Sequence, residues 1–286
     1  MDGVIVIDKE KEYTSRDVVN IVGKHFKTKK VGHTGTLDPL ATGVLIVCVN
    51  KATKLVELLT DHDKEYIADI TFGIETDTLD ITGNVLNEQD TIISKEEIEK
   101  VLNEYQKEYD QTVPIYSAVR INGRKLYEYA REKEEIELPS RKVKIYQIDL
   151  LNYEQIDNKT HIQIKCSVSK GTYIRSLIRD IALSLNTVAI MTDLRRTKVG
   201  KFSLDDAVTL KQLDNNEFKI HKIEELLQDY PTVEVDNKLE FKVKNGCKIE
   251  NIYNEEYVVF KNKEEVLGLY KNEDGILKPF KMFVRS

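Results

Sequence analysis

Gly32-His33-Thr34-Gly35-Thr36-Leu37-Asp38-Pro39-Leu40-Ala41-Thr42-Gly43-Val44-Leu45 is the stretch from which the rest of the chain can be read. Three glycines, three threonines and one proline make it turn-rich, and it carries a single acid, Asp38. An apolar run follows at once, Val44-Leu45-Ile46-Val47-Cys48-Val49, short enough for a buried strand. An acid on a constrained loop against a core strand is how a scaffold presents a reactive group. Taken alone, Asp38-Pro39 is equally a plain turn signal, because both residue types favour turns.

Upstream of the loop, residues 4–7 read as a strand, and Thr14 or Ser15 caps a helix bearing Val18, Val22 and Phe26 on one face. Downstream, residues 51–59 place Ala52, Leu55, Val56 and Leu59 on a helical face. Tyr66, Ala68, Ile70 and Phe72 then alternate with polar residues, as in a half-buried strand. The polar loop at 75–83 is rich in short acceptors but lacks the spacing of a calcium hand. Ser94 with Glu97 makes a capping box ahead of Ile98, Val101, Leu102 and Tyr105. Two strands are expected at 143–151 and 161–168, then a helix opening near Lys170 that buries Ile174, Leu177, Ile178, Ile181 and Leu185. Residues 192–197 form a compact basic segment. Past Pro231 the pattern changes to short strands at 257–260, 266–270 and 281–284, so a boundary is placed within 228–232.

With 286 residues, 41% hydrophobic and 32% charged, the chain can bury one large domain or a large and a small one. No apolar run approaches the roughly 20 residues a membrane helix needs. The run at 4–7 has no basic lead-in or cleavage site, so no secretory signal is expected. Cys48, Cys166 and Cys247 are odd in number and far apart, which suits reduced thiols and a cytoplasmic location. Without a Cys-x-x-Cys pair, and with five scattered histidines, no metal site is expected.

The net charge of −6 argues against a nucleic-acid partner, but its distribution argues for one. Residues 16–30 hold five basic side chains against one acidic, and residues 165–201 hold eight against two. Such segregation provides a basic face for phosphates; ordinary solvated faces would give the same count. Residues 116–131 interleave arginine and lysine with three tyrosines around an Asn122-Gly123 turn. That text suits stacking on bases and pairing with phosphates, and an exposed hairpin and helix equally.

The fourteen-residue run closely resembles the signature of the tRNA pseudouridine-55 synthase (TruB) family. Three further stretches match in family order. These are Lys64-Glu65-Tyr66; Tyr116-Ser117-Ala118 with Gly123-Arg124-Lys125-Leu126-Tyr127-Glu128-Tyr129-Ala130; and Lys170-Gly171-Thr172-Tyr173-Ile174-Arg175. The resemblance implies an α+β fold with a mixed, mainly antiparallel sheet and flanking helices. The catalytic domain would span 1–230, with an RNA-gripping insertion at about 115–141, followed by a small β-rich, PUA-like domain at 231–286.

It also implies roles. Asp38 would be the nucleophile, and Arg175 the partner that keeps it ionised. A cation at a helix start costs about 0.3–1 kcal/mol against the macrodipole, which a paired carboxylate offsets. Tyr66 would stack on the target uracil and is a candidate for proton handling, although a strand tyrosine is equally a core ring. His33 would fill the gap left by an extruded base, Tyr173 and Leu194 would line the uracil pocket, and Asp80 would be a polar partner nearby. The reaction would turn a uridine of the tRNA T stem-loop into pseudouridine, with the base flipped out and no cofactor or metal. Basic residues at 27–30, 120–125 and 195–201 would contact phosphates. No coiled coil is seen, so a monomer without an obligate protein partner is expected.

Three alternatives compete. A guided synthase shares the nucleophile motif, but those proteins are typically basic, and this acidic chain carries the insertion of the stand-alone type. Phosphoryl transfer through Asp38 lacks an Asp-x-Asp pair or Walker loop. A non-catalytic RNA-binding protein would have no need of a protected acid paired to Arg175.

Overall fold

The computed structural model describes residues 1–284. A nine-stranded sheet dominates it. In chain order its strands are β1 (Gly3–Lys9), β2 (Val31–His33), β3 (Thr42–Val49), β4 (Lys64–Phe72), β5 (Glu108–Thr112), β6 (Ser140–Ile156), β7 (Lys159–Val168), β8 (Ala189–Val199) and β9 (Phe202–Ser203). They lie in the order β1-β3-β8-β4-β7-β6-β5, with β2 on β3 and β9 on β8. Every pairing is antiparallel except β3 with β8. This is the mixed, mainly antiparallel sheet expected of the α+β class.

Alternation explains why the apolar run after the central loop is unbroken. In β1 and β3, Ile5, Ile7, Leu45, Val47 and Val49 face one core, and Val4, Val6, Val44, Ile46 and Cys48 face a second. A strand covered on both sides has no polar face to show. The first core is closed by α1 (Ser15–His25), α2 (Lys95–Glu104) and α4 (Ile174–Ser184), with the short α3 (Leu126–Glu132) lying within residues 115–141. Thr14–Asp17 and Ser94–Glu97 form the capping boxes of α1 and α2, each satisfying two otherwise orphaned donors. The same segment also contains the two-residue strands Arg120–Ile121 and Arg124–Lys125, joined through Asn122 and Gly123 at positive φ.

The C-terminal part is a separate five-stranded sheet: β10 (Thr232–Glu234), β11 (Ile249–Glu250), β12 (Tyr257–Lys261), β13 (Val266–Glu273) and β14 (Ile276–Met282), ordered β10-β12-β13-β14-β11. One side packs around Phe260 and Tyr270. The other sends Val259, Val266 and Leu269, with Phe283, into the second core beneath β1 and β3.

Three local expectations change. Residues 192–197 are not a free basic segment but part of β8, hydrogen-bonded between β3 and β4. The last strand begins at Ile276, because Asp274-Gly275 at positive φ makes a tight turn directly after β13. Residues 51–59 form a 3-10 helix, Asn50–Leu55, continued by the α-helix Val56–Thr60, rather than one α-helix.

Candidate active site

The loop between β2 and β3 carries Asp38 and is fixed from three sides. Ser15, first residue of α1, accepts from Leu37 N–H at 2.9 Å and donates to Leu37 C=O at 3.2 Å. Lys9, wholly buried at the end of β1, donates to the carbonyls of Glu10 (2.9 Å), Tyr13 (2.7 Å) and Pro39 (3.3 Å). Burial pushes the Lys9 ammonium down to about 8, with Asp38 nearby opposing the shift. The third side is Arg196, 1% exposed, whose Nε donates to Val44 C=O at 2.7 Å and whose Nη2 donates to Gly35 C=O at 3.3 Å. Close approach of β3 to β8 requires glycine at 43. Its φ is +100°, and a Cβ there would stand 2.2 Å from Arg196 C=O.

Arg175, in the first turn of α4, joins this loop to the rest of the site. Its Nη2 lies 2.9 Å from Asp38 Oδ2 and donates to Tyr116 C=O at 3.0 Å. Its Nη1 donates to Thr78 C=O at 2.9 Å and lies 3.6 Å from Asp80 Oδ2. One guanidinium thus binds the acid loop, the 75–83 loop and the segment that begins at Tyr116. The Arg175 side chain is 7% exposed and that of Asp38 is 40% exposed, so the cation is sequestered while the acid faces outward.

The acid faces a cavity of about 530 Å³ lined by Asp38, Tyr66, Tyr173, Leu194 and Arg175, with Lys64, Arg141 and Arg196 among the basic residues. The structure therefore brings five of the seven sequence-derived site residues to one cavity. Tyr66 is buried in β4, and burial pushes its phenol up while the adjacent Arg196 opposes. Tyr173 is locked by a reciprocal pair: its N–H donates to Gln111 Oε1 at 2.8 Å, and Gln111 Nε2 donates back to Tyr173 C=O at 3.2 Å. The Arg141 guanidinium lies over the Tyr173 ring, 5.1 Å from its centroid.

The other two residues lie off the lining. Asp80 sits behind Arg175, where its carboxylate accepts from Thr78, from Thr82 N–H at 3.0 Å and from Thr82 Oγ1. His33 sits on β2, at the loop's entry, its Nδ1 buried without a partner and its imidazole pushed down by burial. Among residues expected on phosphates, Arg196 is a core cation, Arg195 is paired with Asp8 at 2.7 Å, and Arg124 is paired with Glu132 and Glu134. Sequence reasoning missed Lys9, Gln111 and Arg196 as site-builders. For Arg196 the one signal was its place in an alternating strand, facing the same way as Leu194 and opposite to Arg195. Chemically, the arrangement holds a carboxylate beside a guanidinium in a cavity with flat aromatic and aliphatic walls, fit for a planar ring.

The sequence model described as TruB family pseudouridylate synthase (N terminal domain) matches residues 23–174. That described as the tRNA pseudouridylate synthase B C-terminal domain matches residues 175–230. The chain belongs to the TruB family of pseudouridylate synthases, enzymes that isomerise uridine to pseudouridine. Among curated TruB-family relatives, tRNA pseudouridine synthase B of Caldanaerobacter subterraneus subsp. tengcongensis is 39% identical, covering 99% of this chain and 99% of its own. The protein of that name from Fusobacterium nucleatum subsp. nucleatum is 44% identical, over 99% of this chain and 100% of its own. Of solved structures, a Cbf5–Nop10–Gar1 complex contains a chain with a TM-score of 0.72 and 26% identity, covering 99% of this chain and 85% of that one. The fold is that of the pseudouridine synthases. Among the described residues no helix is long and apolar enough to cross a membrane.

Proposed function

We propose that this enzyme acts on the uridine at position 55 in the T loop of tRNA, with Asp38 as nucleophile and the target base flipped into the cavity. The observation that carries the reading is the Asp38–Arg175 pair, 2.9 Å apart, at the mouth of a cavity of about 530 Å³. That volume admits a nucleotide and excludes a duplex, so a target within a folded RNA has to leave its stack, at a cost of a few kcal/mol. Tyr66, Tyr173 and Leu194 offer the faces between which a uracil ring would lie. His33, at the entry of the acid loop, is assigned to the gap left in the RNA.

The carboxylate of Asp38 attacks C1′ of the ribose or C6 of the ring. On either route the N1–C1′ bond breaks, the base turns, C5–C1′ forms, and the bond from Asp38 to C1′ or C6 breaks, which returns the electron pair to the carboxylate. C5 then loses its proton and N1 carries one, so the RNA keeps its composition. Arg175 orients the carboxylate and Asp80 orients Arg175. Tyr66, beside the ring, is the candidate to handle the C5 proton.

Residues 1–230 are assigned as the catalytic domain and 231–286 as a PUA-like domain. The insertion at about 115–141 grips the RNA, supported by its hydrogen bond from Arg175 to Tyr116 and by exposed Arg120. The enzyme is taken to work as a monomer in the cytoplasm. The test is incubation of an unmodified tRNA transcript, and of its isolated T-arm hairpin, with the protein. A pseudouridine-selective adduct then maps the product by primer extension. The reading predicts one stop, at position 55, on both RNAs; a stop elsewhere, or none, contradicts it.

A further inference from the structure

The cavity is lined by four cations, Lys64, Arg141, Arg175 and Arg196, and by one acid, Asp38, which Arg175 already pairs. A neutral uracil does not call for that surplus of positive charge. Two of the cations stand together. A side-chain carbon at Gly35, whose φ is +85°, would lie 3.6 Å from Arg196 Nη1 and 3.7 Å from Lys64 Cε. Gly35 is therefore a notch in the acid loop with a cation on each side.

Neither cation has a carboxylate within ion-pair distance among the described residues; both are held by backbone carbonyls. Lys64, first residue of β4, donates to Thr60 C=O at 3.0 Å and His62 C=O at 2.6 Å, which leaves one N–H unused. Burying cations without counter-charge is costly, and a fold keeps them where an anion will arrive. Burial, with the repulsion of Arg196, pushes the Lys64 ammonium down to about 8.

We propose that Lys64 and Arg196, flanking Gly35, form a seat for a phosphodiester of the flipped nucleotide. Lys64 makes the contact, and Arg196, being buried, supplies charge from behind. The inference rests on the proposed flipping of the target into this cavity. It adds a role for a residue two positions before Tyr66: the strand that presents the ring-facing tyrosine also anchors the backbone of the nucleotide carrying that ring. Base and phosphate would then be held from one strand, which fixes the sugar between them against Asp38.

The experiment uses the T-arm hairpin with a methylphosphonate, which is uncharged, in place of the phosphate on either the 5′ or the 3′ side of the target uridine. Single-turnover kcat/KM is measured for wild type, Lys64→Met and Lys64→Arg on both RNAs and on the all-phosphate hairpin. One neutral linkage should lower the wild-type value about tenfold to a hundredfold, the worth of a hydrogen bond to a charged group. Lys64→Met should show a similar loss on the all-phosphate RNA and no further loss on that neutral RNA, while Lys64→Arg should recover most of the loss. Losses that multiply, or a wild type indifferent to both linkages, would overturn the proposal. Wild-type turnover on the all-phosphate hairpin reads the proposed function by itself, so an inactive wild type and a failed cycle are distinct results.

Discussion

Arg175 does more than balance one charge. Its guanidinium touches Asp38, Thr78 C=O and Tyr116 C=O, and no other side chain has that reach and that fork of donors. Arg175→Lys is expected to keep the charge yet lose at least two of the three contacts. Single-turnover rate should fall by about a hundredfold or more, with RNA affinity in filter binding changed far less. Arg175→Met should also destabilise the fold by about 2–4 kcal/mol, read by urea denaturation, because it leaves the Thr78 and Tyr116 carbonyls without that donor and the buried Asp80 carboxylate without its cation. The pH response belongs to Lys64, which faces Arg196, Asp63, Asp61 and Lys170. Its folded pKa is lowered to about 8, so the cation is present below that pH and lost as pH rises through it. kcat/KM, which reports the free enzyme, should therefore decline above about pH 8. The decline should be smaller in Lys64→Arg but not abolished, because Lys9, which holds the acid loop, is lowered to the same range.

At this scale the sequence was most legible where a motif named the residue, as for Asp38 and Arg175. It was least legible for Lys9 and Arg196. Both sit among other charges in the text, and nothing in a basic run distinguishes a solvated arginine from one whose guanidinium caps backbone carbonyls in the core. That choice is made by strand register, which is a tertiary quantity.

Among the elements, the junction of β3 and β8 sets the cavity's depth, since it is the sheet's one parallel pairing and it brings Arg196 beneath the acid loop. Gly43 permits it. Gly43→Ala places a methyl carbon 2.2 Å from Arg196 C=O at a φ of +100°. The variant should lose at least about 2 kcal/mol in thermal or urea unfolding and should lose activity with it. A tolerant Gly43→Ala would mean that β3 and β8 can separate without consequence for the site. β1, β3, β4, β6 and β7 were readable from apolar runs or alternation, α1 from its capping residue and α2 from its capping box, whereas β2, β5 and β9 were not read. What eluded the text was pairing: residues 192–197 looked like a free basic segment because a central strand carrying Arg195, Arg196 and Lys198 breaks the apolar pattern expected of one.

Over the whole molecule, the two sheets share a core. Val259, Val266, Leu269 and Phe283 lie against the side of β1 and β3 opposite the helices, together with Leu55 and Leu59. Removing residues 231–286 would uncover Val4 and Val6 on β1, and Val44 and Ile46 on β3, the strand that leads out of the acid loop. The truncated chain is expected to melt at a lower temperature and to bind a hydrophobic dye before unfolding, as exposed apolar patches do. A truncated chain with unchanged melting and no dye binding would show that the second core is dispensable. A change of composition at Pro231 was visible in the sequence, but the docking of the C-terminal sheet was not, because it depends on which face of β1 each valine occupies. Net charge misleads at this scale too: a chain of −6 still gathers four cations at one cavity.

The most direct measurement compares wild type with Asp38→Asn on the same tRNA transcript, recording bound RNA and pseudouridine formed under single-turnover conditions. An amide of nearly the same shape keeps a hydrogen-bond acceptor for Arg175 and removes the carboxylate proposed as nucleophile. The account predicts that Asp38→Asn binds the RNA within about tenfold of wild type and forms no pseudouridine. Product from Asp38→Asn at a rate near that of wild type would contradict it.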